Sequence, residues 1–217
     1  MKAVIFDMDG VMFDTETADR AAWFKVGKEH NISGMKEFTE SIVGINGKYL
    51  LAKAIKLMGS EKKAKELLKW QDEAMDIYYS THEVDVKLGL YELLDYLKQS
   101  GYAMAIASSG STDWIMKNVI GAGVKEYFDV IISGDMVEKS KPDPEIYLKT
   151  CRELSISPKE AWVIEDSKNG INAAVAAGCK TLFVPDLWEP DNVEELSGIY
   201  GKYKDLLEVI QELGLLH

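Results

Sequence analysis

The chain has 217 residues, 47% of them hydrophobic and 28% charged, enough to bury a core in one large domain or one domain with an insertion. A formal net charge of -11 and an isoelectric point near 4.8, with no long basic stretch, argue against nucleic acid or a membrane surface as partner. Two cysteines and three histidines without ligand spacing argue against a disulfide framework or a zinc site, and no apolar run approaches the roughly 20 residues that span a bilayer, so a cytoplasmic protein with reduced Cys151 and Cys179 is expected.

The first predicted element is a strand, Ala3–Phe6, apolar throughout and followed at once by Asp7 and Asp9. Residues 15–84 then contain no strand pattern but long helical ones at Thr17–Glu29, Lys48–Met58 and Glu61–Ser80, and read as a helical insertion. Four more short apolar runs follow: Ala103–Ala107, Val130–Ile132, Trp162–Ile164 and Thr181–Val184. Helical patterns separate them at Thr112–Ile120, Pro144–Leu154 and Asn169–Ala177, the last ending in Gly178, and Leu206–Leu213 reads as a final covering helix. Continuous apolar runs mark strands covered on both faces, and strand–helix alternation means a parallel sheet. The predicted fold is therefore α/β: a Rossmann-like parallel sheet flanked by helices (residues 1–14 and 85–217), with an all-helical domain (15–84) inserted after the first strand.

Ligands of open parallel sheets bind beyond the carboxyl ends of the strands, and each strand here delivers polar residues to that edge. Asp7 and Asp9 lie two residues apart; they converge if the chain stays extended and merely lie close if a turn begins at Met8. Two such carboxylates in a cleft repel unless a cation lies between them or they have different tasks. Glu165 and Asp166 end another strand, and several carboxylate oxygens with a backbone carbonyl suit a hard divalent cation such as Mg2+. Lys141 supplies a positive charge and is preferred to Lys139 by its place before Pro142. Ser108 opens a Ser/Gly turn ahead of a helix, with Ser109 and Gly110 in a position to cradle an anion.

"FDMDGV", "ASSGS", "KPDPEIY" and "IEDSKNG", in that order, resemble the four motifs of the haloacid dehalogenase superfamily, over Met1 to about Asp186. The resemblance implies a phosphatase with a helical cap. In it Asp7 is the nucleophile that forms an aspartyl-phosphate, and Asp9 is the general acid and base. Mg2+ is held by Asp7, the carbonyl of Asp9 and Asp166, with Glu165 direct or through water. Ser108, the amides after it and Lys141 hold the phosphoryl oxygens.

The paired acidic residues set the chain apart from the family's metal-independent dehalogenases. The substrate implied is a small phosphorylated metabolite, with sugar phosphates among the candidates. β-Phosphoglucomutases resemble the chain too, but carry His where Asp19 stands and basic residues at positions that look like Val43 and Gly47, so hydrolysis is expected before isomerisation. A non-catalytic phosphate-binding protein is the alternative of another class; its mark would be loss of Asp7, Asp9 or Asp166, and all three are present.

Overall fold

In the computed structural model, which describes residues 2–42, 47–82, 84–190 and 197–215, the apolar runs pair as strands and the periodic segments between them coil as helices. In chain order the elements are β1 (Ala3–Phe6), α1 (Thr15–Glu29), α2 (Met35–Ile42), α3 (Gly47–Met58), α4 (Glu61–Thr81), α5 (Leu90–Gln99), β2 (Ala103–Ala107) and α6 (Thr112–Gly121). There follow β3 (Val130–Ile132), α7 (Glu145–Glu153), β4 (Ala161–Glu165), α8 (Lys168–Ala177), β5 (Lys180–Phe183), β6 (Ile199–Lys202) and α9 (Leu206–Leu215). Among the described residues no helix is long and apolar enough to cross a membrane.

Among the described residues six strands form one sheet, all parallel, in the order β3-β2-β1-β4-β5-β6. The order reverses at β1, and a crevice opens at such a switch point beyond the strand ends. Register sets which residues reach it: Phe6 lies beside Ile106 and Ile164, so Asp7 emerges level with the ends of β2 and β4.

Alanines of three strands lie in one cluster, alongside Ile5, Ile132 and Val163. Ala3, Ala103, Ala105, Ala107 and Ala161 share one buried cluster with Tyr147 and Cys151 of α7 and Ala173 and Ala174 of α8. Small residues on that face let both helices approach closely, and they bring Tyr147 under the end of β4. Cys151 and Cys179 are buried free thiols in the same cluster.

Two core elements lie outside the predicted set. Helix α5 supplies the crossover that parallel β1 and β2 need; Leu90, Leu93, Leu94 and Leu97 announce it at helical spacing, although its cap, Gly89 at φ 89°, offers no side-chain signal. A Cβ on Gly89 would stand 2.8 Å from the backbone nitrogen of Leu207, so close packing on α9's first turn, rather than capping chemistry, selects that residue. Strand β6 is half exposed and interrupted by Gly201, over which the Tyr203 ring lies, so its pattern is neither continuous nor cleanly alternating.

The chain divides into two compact units, residues 1–14 with 85–217, and residues 15–84. The second has its own core, built on Trp23, Val26, Met35, Phe38, Ala64 and Leu67. Trp23 meets Phe38 edge-on at 5.2 Å, and His30 stacks on Trp70 at 3.5 Å. Also in this unit, Asp19 accepts hydrogen bonds from Trp23 Nε1 at 2.9 Å and from Gln71 Nε2.

Candidate active site

The stretch after β1 folds into a turn at Met8, whose carbonyl accepts from the amides of Met12 (2.9 Å) and Phe13 (3.2 Å), while Gly10 at φ 82° reverses the chain. Met8, Val11, Met12 and Phe13 are buried and anchor this turn in the core. Because the turn begins at Met8, Asp7 and Asp9 diverge. Asp7 Oδ1 accepts from Lys141 Nζ at 2.6 Å. Asp9 accepts from Trp114 Nε1 at 3.1 Å on Oδ1 and from Ser108 Oγ at 3.3 Å on Oδ2.

The ammonium of Lys141 is buried and also donates to Glu165 Oε1 at 2.6 Å and to the carbonyl of Ala107 at 3.1 Å. Lys139 instead pairs with Asp143 at 3.5 Å on the surface. Ser108 Oγ accepts from the amide of Gly110 at 3.0 Å. A Cβ on Gly110 would press on the Trp114 ring at 2.8 Å, so glycine lets the indole approach Asp9. The first turn of α6 is capped by Ser111 Oγ on the Trp114 amide, and Asp135 Oδ2 takes the Thr112 amide at 2.8 Å. Ser109 meets the next loop through its carbonyl, packed against Gly134.

One carboxylate oxygen from each of Asp7, Glu165 and Asp166, all buried, lies within 4.8 Å of the others. Glu165 has little capacity left for a cation. Its Oε1 accepts from Lys141 and from Tyr147 Oη at 2.7 Å; its Oε2 accepts from the amides of Asp166 (3.0 Å) and Ser167 (3.1 Å) and from Ser167 Oγ (3.1 Å). Ser167 meanwhile caps α8 through Gly170, whose missing side chain leaves room for the Glu165 carboxylate. Asp7 and Asp166 contribute hard oxygen donors to this cluster, a set that suits a divalent cation. The carboxylate of Asp9 stands outside this group.

Two buried carboxylates, Asp7 and Glu165, share one ammonium. Burial would raise Glu165, but Lys141 and its other donors hold it below the ordinary carboxylate value. Burial pushes Asp7 up to about 8, with Glu165 and Asp9 adding to the rise against the pull of Lys141. Burial alone would lower Lys141, yet Asp7 and Glu165 outweigh it and hold the ammonium above the usual lysine value. Positive charge is therefore short at Asp7 unless a cation joins it.

A family profile described as haloacid dehalogenase-like hydrolase matches residues 4–184 of this chain, which include the β1 turn, Ser108, Lys141 and the Glu165–Asp166 pair. The chain belongs to that family. Among curated relatives, a phosphorylated carbohydrates phosphatase of Thermotoga maritima is 31% identical over 186 residues, covering 84% of each chain. A β-phosphoglucomutase of Bacillus subtilis is 32% identical over 186 residues, covering 82% of this chain and 80% of its own. A solved hydrolase structure from Pseudomonas syringae superposes with TM-score 0.83 over 100% of this chain and 99% of that one, at 23% identity, a likeness of fold.

Hydrogen bonds to Glu165 and Asp9 add Tyr147 and Trp114 to the site, two residues absent from the sequence-based set. Tyr147 stands inside a quoted motif, six residues beyond Lys141, and its spacing on α7 was the available signal. Trp114 had none, since a tryptophan in a helix's first turn reads as core. Val43, one of the positions where the mutases carry a basic residue, lies outside the described residues.

Proposed function

We propose that this chain is a Mg2+-dependent phosphatase that hydrolyses a small phosphorylated metabolite, with carbohydrate phosphates first among the candidates. The observation that carries the reading is the meeting of Asp7, Asp166 and Lys141 at the strand ends, with Asp9 held separately by Ser108 and Trp114. Asp7 attacks phosphorus, forming an Oδ–P bond as the ester P–O bond breaks. Asp9 gives its proton to the departing oxygen. Asp9 then takes a proton from water, whose oxygen attacks phosphorus and releases Asp7. Lys141 and the Ser108–Gly110 turn hold the transferring oxygens. Asp7, Asp166 and the carbonyl of Asp9 would hold Mg2+, which would supply the positive charge that keeps Asp7 ionised beside an anionic substrate. Glu165, its oxygens engaged by five donors, fixes Lys141 in place.

Residues 15–84 serve as the cap that selects the substrate. The mutase reading is favoured by the Bacillus subtilis relative, but a mutase must grip a second phosphate so that its intermediate turns round rather than leaves. Asp19, where the resemblance implies a His in mutases, is a carboxylate already held by Trp23 and Gln71. The deciding assay supplies a panel of phosphorylated metabolites, glucose 1-phosphate among them, with Mg2+. Release of inorganic phosphate is expected; conversion of glucose 1-phosphate mainly to glucose 6-phosphate would establish the mutase instead.

A further inference from the structure

The loop after β5 carries a carboxylate that the steps above do not use. Asp186 follows Pro185, and its side chain is only 9% exposed. Oδ1 accepts from Lys87 Nζ at 2.6 Å. Oδ2 is buried and meets no hydrogen-bond donor among the described residues. This oxygen faces the acidic site: it stands 3.3 Å from the point where a Cβ would sit on Gly10, a point that collides with Asp166 Oδ2. Carboxylate oxygens from the end of β4 and from the β5 loop thus border the space that Gly10 leaves open. The Lys87 amide, for its part, donates to the carbonyl of Met12 at 3.0 Å, so the residue that holds Oδ1 is tied to the same turn.

A buried acceptor without a donor is destabilising, and more so when charged. The donor that suits this place is a water. Mg2+ gives up its waters reluctantly and takes only one or two carboxylates, so the remaining waters point O–H groups outward and need acceptors. We propose that Asp186 is a positioning residue of the cation site, its Oδ2 accepting a hydrogen bond from a water on the ion that Asp7 and Asp166 hold; this rests on the cation-dependent reading above. Lys87 engages Oδ1, so Oδ2 is the oxygen available to that water, and the carboxylate itself stays in place without the lysine.

Mn2+ serves as the probe, its affinity read by electron paramagnetic resonance titration and its bound waters by proton relaxation. The wild type is compared with Asp186→Asn, Lys87→Met and the double variant Asp186→Leu/Lys87→Met. In Asp186→Asn, Lys87 claims the amide oxygen and the NH2 faces the site, so affinity falls about 10–100-fold, the usual effect of losing a partner behind the ligands. The double variant removes both members of the ion pair by apolar groups of similar shape, which keeps the fold near wild-type stability, and its affinity falls likewise. Lys87→Met binds Mn2+ about as well as the wild type.

Wild-type affinity in the Asp186→Asn and double variants would overturn the proposal, as would an equal loss in Lys87→Met, which would make the ion pair a structural brace. A wild-type protein that binds neither Mn2+ nor Mg2+ would overturn the cation reading itself.

Discussion

Lys141→Met removes the one ammonium that Asp7 and Glu165 share, at a residue whose side chain is 5% exposed. Breaking a buried ion pair from one side costs about 3–5 kcal/mol. Two features of the site put this case near the lower end. Glu165 keeps the Tyr147 hydroxyl, two amides and the Ser167 hydroxyl as donors. Asp7, pushed up to about 8, holds a proton at neutral pH when no cation is bound.

A loss of about 3 kcal/mol in a chain of this size lowers Tm by about 6–12 °C. The assay is thermal unfolding of the metal-free protein at pH 7, followed by circular dichroism. Glu165→Gln added to Lys141→Met restores at least half of the loss, because the amide nitrogen then faces a Tyr147 hydroxyl free to turn and accept. A Lys141→Met protein within about 1 kcal/mol of wild type would refute the reasoning, since it would mean that Glu165 is stabilised without its lysine.

Asp7→Asn abolishes turnover of an aryl phosphate while leaving the fold intact, and retained turnover would remove Asp7 as nucleophile. The same variant tests the charge shortage: a carboxyl raised from 3.8 to about 8 contributes stability that is full below pH 4 and lost as pH rises through 8. The metal-free wild type therefore loses Tm relative to Asp7→Asn between those limits, and parallel curves would contradict the shift. Gly10→Ala places a methyl group on Asp166 Oδ2 at a φ of 82°, where a side chain costs about 1–2 kcal/mol. It lowers both Tm and Mg2+ affinity in titration calorimetry, and wild-type values of both would show that the turn relaxes freely.

The sequence by itself determined the elements that depend on neighbours along the chain. Apolar runs became strands because they are buried on both faces, the strand-free stretch became a separate helical unit, and four motifs at strand ends were enough to place the family. Which side chains meet was a matter for the tertiary structure. Lys141 and Asp7 stand 134 positions apart, and only parallel pairing around β1 brings their strand ends level. The turn at Met8 sends Asp9 to Ser108 and Trp114 and leaves Asp7 with Lys141, a divergence that i, i+2 spacing leaves open. Likewise "EDS" announces two acidic residues without saying that one of them is enclosed by five donors. Asp186 reads as a turn residue after Pro185 until the fold buries one of its oxygens beside Gly10. Burial and donor supply belong to a place in space, and residues from distant strands build that place together.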